Sequence, residues 1–186
     1  MVVKKTDVLI IGAGPAGISA AWSLSKSSHK ITCFEQGSKV STKDYRSTHP
    51  NWEELVSKKF NPNPNVRCAR GDYPIDDKNS PISIANFNGV GGSSVLYSGH
   101  VPRFYKSDFK TKTKDKVGYD WPIDLKDLEK FYDLNEKKLG VRGLIGNKNY
   151  PNIKKLKPHI PLGRLGEKVA EGFNKLGWNW WPSYSA

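Results

Sequence analysis

The stretch from Asp7 to Glu35 limits what this chain can become more than any other part of it. An unbroken apolar run, Val8 to Ile11, is followed at once by Gly12-Ala13-Gly14-Pro15-Ala16-Gly17, and a second apolar run, Ile31 to Phe34, ends on Glu35. A short run without polar alternation reads as a parallel strand buried on both faces. Gly12, Gly14 and Gly17 fill the spacing Gly-x-Gly-x-x-Gly, and a helix follows them directly. The acid falls about 20 residues past the glycines, at the end of the second strand. Strand, tight turn, helix and strand in this order make a parallel βαβ unit, so the chain is α/β and Rossmann-like from its start.

Each residue of the unit has a physical task. Gly12 allows the tight turn out of the first strand, where a side chain would be strained. Gly14 lets the backbone approach a pyrophosphate, and Gly17 lets the helix pack close to the strand. Pro15 falls in the first helical turn, where its missing N–H costs nothing and its φ is already helical. The helix N-terminus, with Ala13 and Ala16 beside the glycines, aims unpaired N–H groups and a partial positive charge at the phosphates. Glu35, with Gln36 next to it, is placed to accept hydrogen bonds from a ribose 2′-OH, and its charge disfavours a 2′-phosphate. A glycine-rich turn can exist without any ligand, but strand, helix and terminal acid together point to a dinucleotide site.

Composition narrows the rest. The chain has 186 residues, 37% hydrophobic and 11% aromatic, enough for a globular core and unlike a disordered segment. No apolar run approaches the roughly 18 residues of a membrane span, and the N-terminal apolar run is the first strand rather than a signal peptide. Cys33 and Cys68 form no Cys-x-x-Cys pair, and Cys33 falls in the expected buried strand, so reduced thiols in a cytoplasmic setting are expected. His29, His49, His100 and His159 lack metal-ligand spacing and read as surface or structural histidines; no metal site is expected. The net charge is +12. Its lysines are spread along the chain, as at Lys110, Lys112, Lys114 and Lys116, without interleaved aromatics. They read as a solvated surface and not a nucleic-acid face, although a polyanion-binding role stays open on charge alone.

Beyond the βαβ unit, residues 38–80 read as an irregular excursion rich in Asn, Pro and Ser, with a short helix over Trp52 to Phe60. Ile82 to Phe87 reads as a short strand. Leu125 to Leu139 reads as a helix with Asp124 as N-cap, Leu125, Leu128, Phe131, Tyr132 and Leu139 on one face, and Gly140 as its stop. A last helix, Leu165 to Leu176, places Leu165, Val169, Phe173 and Leu176 on one face and stops at Gly177. The chain closes on Trp178, Trp180, Trp181 and Tyr184, an apolar surface that calls for cover.

A second glycine cluster, Gly89-Val90-Gly91-Gly92-Ser93-Ser94, follows the expected strand. Such a cluster serves as a plain surface turn or lets backbone N–H groups approach a bulky planar ligand or its pyrophosphate, with Ser93 and Ser94 adding hydroxyls. Four landmarks in order carry a resemblance: Gly12 to Gly17, then Asn88 to Ser94, then Pro102-Arg103-Phe104, then Asp120-Trp121-Pro122-Ile123 leading into Asp127-Leu128 and Tyr132. Together they resemble the glucose–methanol–choline oxidoreductases, FAD-dependent enzymes, along essentially the whole chain. The likeness is greatest to the branch that oxidises sugars and sugar acids.

The resemblance implies an incomplete Rossmann-like FAD-binding domain over residues 1–104 and the start of a substrate-side α+β region over 105–186. It implies oxidation of a small-molecule alcohol, a sugar, polyol or sugar acid, with hydride passing to flavin N5. It places Gly12, Ala13, Gly14, Pro15, Ala16 and Gly17 at the pyrophosphate, and Glu35 and Gln36 at the adenosine ribose. Val90, Gly91, Gly92, Ser93 and Ser94 fall beside the pyrophosphate or flavin. Tyr97 stands where many members have Asn or His. Members that hold FAD covalently use a histidine where Leu96 stands here, so noncovalent FAD is implied. The family's base is a late histidine paired with His or Asn; nothing here matches it, so no catalytic residue is assigned and the chain reads as an N-terminal fragment, poorly soluble and colourless in isolation. Two alternatives remain at this point: another FAD- or NAD-dependent enzyme sharing only the βαβ unit, and a non-catalytic basic binding protein.

Overall fold

The computed structural model describes residues 5–41, 43 and 50–186; His49, read above as a surface or structural histidine, lies outside them. The chain divides into two compact units, Met1–Tyr97 and Ser98–Ala186.

Unit 1 begins with the expected βαβ. Strand β1 (Val8–Ile11) and strand β2 (Ile31–Phe34) pair in parallel, with Val8 opposite Ile31 and Ile11 opposite Phe34. Helix α1 (Pro15–Leu24) joins them and packs on one face of the pair. Val8 and Ile10 are half-buried while Leu9 and Ile11 are exposed, Ile11 at 74%. The strand read as buried on both faces is therefore covered on one. The expectation that Cys33 is buried is corrected in the same way: it is exposed, because among the described residues β2 pairs with β1 alone in a two-stranded sheet.

The excursion contains two short helices, α2 (Trp52–Ser57) and α3 (Pro64–Arg67), the first shorter than the expected Trp52 to Phe60. Asn63 caps α3 by accepting from the Asn65 amide at 2.9 Å. Arg67 is buried, with Nε 2.9 Å from Asp72 Oδ2 and its guanidinium 5.0 Å from the Phe87 ring. The expected strand Ile82 to Phe87 is absent; its residues are irregular and Ile82 and Ile84 are exposed. A strand needs a ladder partner, and the extended contact here falls later, as an isolated parallel bridge between Ser38 and Gly89. A 3₁₀ turn follows at Gly92–Val95.

Unit 2 opens with a 3₁₀ turn, Lys106–Phe109, and helix α4 (Thr111–Asp115), followed by α5 (Leu125–Leu139) and α6 (Gly163–Lys175). The bounds of α5 are those the sequence predicts, and its cap explains why. Asp124 Oδ1 accepts from the Lys126 amide at 2.7 Å, and Asp127 Oδ2 accepts from the Asp124 amide at 2.8 Å. That reciprocal box satisfies donors that an uncapped helix start leaves open. The core of the unit is Val141, Ile153 and Tyr184, with Val101, Tyr150, Leu156 and Trp181 against it. Arg142 bridges both Lys157 and Ser185, which draws the last residues onto this core.

Arg103 is buried to 3% exposure, and each of its three guanidinium nitrogens has a partner. Its Nε and Nη2 reach both Glu136 oxygens at 2.6 Å, Nη2 also reaches Asp133 at 2.7 Å, and Nη1 reaches the Asn152 carbonyl at 3.0 Å. Tyr150 accepts from the Arg103 amide and donates to its carbonyl at 3.1 Å. Burial pushes that hydroxyl up to about 12, so it keeps its proton and both roles.

Candidate dinucleotide site

The site grows out of the turn after β1. The Gly12 amide donates to the Phe34 carbonyl at 2.7 Å, which ties the end of β1 to the end of β2, and Gly12 itself sits at φ +96°. Only a residue without a Cβ adopts that conformation freely. A Cβ on Gly17 would lie 2.0 Å from the Gly12 carbonyl oxygen and 3.2 Å from the Ile10 side chain, so the third glycine is what lets α1 close on β1. At Gly14 a Cβ would meet nothing within 4 Å. The space that this glycine leaves is open.

Helix α1 starts at Pro15 with Gly14 as its cap, and neither a capping side chain nor an acid in the first turn answers its amides. Its first turn therefore keeps donors and positive potential for an anion. Glu35 stands at the other end of the βαβ unit and folds back onto the loop. Its Oε1 accepts from the Gly37 amide at 2.9 Å and its Oε2 from the Ala13 amide at 2.7 Å. These two amides, Gly37 first, hold the Glu35 carboxyl below the usual carboxylate range. Each carboxylate oxygen retains a second lone pair for a ribose hydroxyl.

The two glycine clusters meet. The Gly91 amide donates to the Ala13 carbonyl at 2.8 Å, and a Cβ on Gly92 would lie 3.1 Å from the Gly14 Cα. Gly91 takes φ +102° at the start of the 3₁₀ turn. Val90, one residue earlier, donates its amide to the Ser38 carbonyl at 3.2 Å. The serine hydroxyls turn inward to the loop itself: Ser94 donates to the Gly91 carbonyl at 2.7 Å, and Ser93 lies 3.3 Å from both the Asn86 side chain and the Phe87 amide. In this way they brace the glycine turn. Gln36 is exposed and makes no side-chain hydrogen bond among the described residues.

Gly37 and Ser38 escaped the sequence reading. A Cβ on Gly37 would lie 2.2 Å from the Asn88 carbonyl oxygen, so this glycine is what lets the segment after β2 meet the second cluster. A glycine two residues past the terminal acid was the available signal. Among the described residues no group of three or more His, Cys, Asp or Glu could hold a metal ion, and no helix is long and apolar enough to cross a membrane.

Comparison with known proteins agrees with this geometry at the level of the domain. Residues 10–67 match the family model of an NAD(P)-binding Rossmann-like domain. The chain is 36% identical over 186 residues to a 2-methyl-1,2-propanediol dehydrogenase of Mycolicibacterium austroafricanum, which covers 98% of this chain and 33% of that protein. It is 24% identical over 194 residues to the fructose dehydrogenase large subunit of Gluconobacter japonicus, covering 93% of this chain and 35% of the relative. It is 29% identical over 140 residues to the paromamine 6′-oxidase of Streptomyces fradiae, covering 74% and 24%. The chain thus spans between about a quarter and a third of the length of these relatives. Its fold is the Rossmann-like α/β fold of dinucleotide-binding domains, and its relatives are named as dehydrogenases and oxidases.

Proposed function

We propose that this chain supplies the first part of the FAD site of a glucose–methanol–choline oxidoreductase acting on an alcohol, of the sugar, polyol or sugar-acid class. The observation that carries the reading is the junction of the two glycine clusters, Gly91 on Ala13 and Gly92 beside Gly14. A dinucleotide fold that binds NAD needs the first cluster alone; a second glycine turn against it supports a cofactor with a larger ring system. The printed names of the relatives, a diol dehydrogenase, a fructose dehydrogenase and a paromamine oxidase, support hydroxylated substrates.

In this reading the open backbone at Gly14 and the uncapped start of α1 take the pyrophosphate, with Ala13, Pro15, Ala16 and Gly17 shaping the turn. Glu35 and Gln36 face the adenosine ribose, and Val90, Gly91, Gly92, Ser93 and Ser94 form the wall next to the pyrophosphate or flavin. When bound, noncovalently, FAD supplies the hydride acceptor. The contribution of the chain is position and electrostatics; no catalytic residue is assigned to it. In this reading residues 1–104 belong to the cofactor domain and 105–186 to the start of the substrate-side region; the two compact units divide seven residues earlier, between Tyr97 and Ser98.

The test is a competition of cofactors for the chain, read by quenching of flavin fluorescence and by calorimetry. FAD is expected to bind more tightly than NAD⁺, and NADP⁺ least of all because Glu35 repels a 2′-phosphate. Gly14→Val, which fills open space and leaves the fold alone, is expected to weaken FAD by about tenfold or more, the loss of one or two phosphate contacts. Binding of NAD⁺ in preference to FAD, or FAD binding indifferent to Gly14→Val, sinks the reading.

A further inference from the structure

A cavity of about 260 Å³ lies in unit 2, its lining including Trp178, Trp180, Trp181, Asn174 and Asn179. None of its lining side chains is charged or titratable in the physiological range. From this lining we infer a binding site for a neutral sugar ring, presented by three indoles and two amides.

Two of the indoles are held in place by their own N–H groups and the third by stacking. Trp180 Nε1 donates to Asn174 Oδ1 at 2.8 Å, and Trp181 Nε1 donates to the Leu144 carbonyl at 3.2 Å. Trp178 stacks on Phe173 with ring centroids 5.7 Å apart. With two of the three donors engaged, what these side chains offer a visitor is their flat apolar faces, already fixed. Preorganised faces avoid the ordering cost that binding otherwise incurs.

The amides supply the polar half. Asn174 uses its oxygen on Trp180 and keeps its NH₂ group, two donors, without a partner among the described residues. The Asn179 side chain makes no hydrogen bond among the described residues, so both its donors and its acceptor remain to be used. A pyranose or furanose has the complementary build: apolar C–H faces that lie on aromatic rings, and an edge of hydroxyls that both donate and accept. An anion finds no cation in this lining. A drug-sized ligand is too large, since such pockets run from about 300 Å³ upward, whereas a single ring fits. With no group to move a proton, the site holds and orients; it does no chemistry.

This inference rests on the proposed reading for its place in an enzyme of sugars and polyols, but its test needs no flavin. The 186-residue chain is titrated with D-glucose, D-fructose and methyl α-D-glucoside, following the side-chain amide signals of Asn174 and Asn179 and tryptophan fluorescence. Saturable binding in the millimolar range is expected for at least one of these sugars. Trp178→Ala and Asn179→Ala, both at exposed positions, are each expected to weaken it about tenfold, the value of one lost stacking face or one pair of hydrogen bonds. Adenosine, a flat ring without a hydroxylated edge on its base, is the control and is expected to bind more weakly. Linear titrations up to about 100 mM, affinities untouched by both variants, or tighter binding of adenosine would each overturn the inference. A parallel FAD titration reports on the cofactor reading separately: sugar binding lost with FAD binding retained defeats this inference alone.

Discussion

At Gly17 a methyl group would sit 2.0 Å from a backbone oxygen, and backbone does not yield as a flexible side chain does. Replacing a helical glycine with alanine ordinarily stabilises by about 1 kcal/mol. Here the steric term is larger, since overpacking costs about 1–3 kcal/mol where neighbours can shift and the neighbour is the Gly12 carbonyl. Gly17→Ala is therefore expected to lower the denaturation midpoint, the opposite of the helix-propensity result, and a raised midpoint would refute the close approach. Glu35 makes a second prediction at this scale. Its folded carboxyl titrates below the ordinary glutamate range because the Gly37 and Ala13 amides favour the charged form. Its stabilising contribution is thus complete above the unfolded value of about 4.3 and is lost as pH falls through the lowered folded value. The stability gap between the wild-type chain and Glu35→Gln should stay level from neutral pH down to about 5 and close below about 4; a gap that widens on acidification would reverse the sign and the argument. The spacing of the sequence groups Gly12, Gly14, Gly17 and Glu35 in one βαβ unit. It does not show that Glu35 fastens the loop, because the amide of Ala13 is brought to it only by the closed turn.

Local chemistry decided which elements could be foreseen. Helix α5 carries its start and stop in its own residues: the Asp124–Asp127 box at one end and Gly140, whose amide reaches the Glu136 carbonyl, at the other. Asp124→Ala is expected to cost about 1 kcal/mol, and Asp127→Ala less, with both read by urea denaturation. No change in either would mean the box is not held in solution. The expected strand Ile82 to Phe87 had β-forming residues but no partner within reach, and strand pairing is a property of two segments at once. The apolar stripe of α6 was read correctly as a stripe, yet Leu165 is 81% exposed and Val169 and Leu176 are exposed as well. Periodicity tells which residues share a face; only packing tells whether that face is covered. Likewise Pro102-Arg103-Phe104 stood out as a landmark without a reason. Asp133 and Glu136, three residues apart on α5, are the two acids that receive Arg103, and that spacing was the signal available.

Across the whole molecule the two units differ in what they bury. Among the described residues, unit 1 buries the hydrophobic residues Ala13 and Phe60, together with the Arg67–Asp72 pair. Unit 2 buries Phe109, Leu125, Val141, Ile153, Ala170 and Tyr184, and closes the Arg103–Glu136 pair besides. The terminal aromatics contribute to that difference: Trp180 and Trp181, expected to lie bare, are half-buried, Tyr184 is buried, and Trp178 alone of the four is largely exposed at 61%. Drawing them inward required Arg142 to pair with Ser185, a contact between residues 43 apart that no local pattern announces. Local opening free energy follows buried apolar contact, so unit 1 should open first. Hydrogen exchange is expected to show the amides of Val141, Lys157 and Ser185 among the slowest of the chain, and those of β1 and β2 exchanging earlier. A dinucleotide that binds only the closed loop then stabilises unit 1 selectively, by about 2.7 kcal/mol at a hundredfold excess over its dissociation constant. Protection added by FAD should accordingly appear at Gly12, Ala13 and Gly91 while the amides of unit 2 keep their rates. Uniform slowing of both units, or equal rates in the free chain, would show that the two do not open separately and would remove the basis for assigning the cofactor to unit 1 alone.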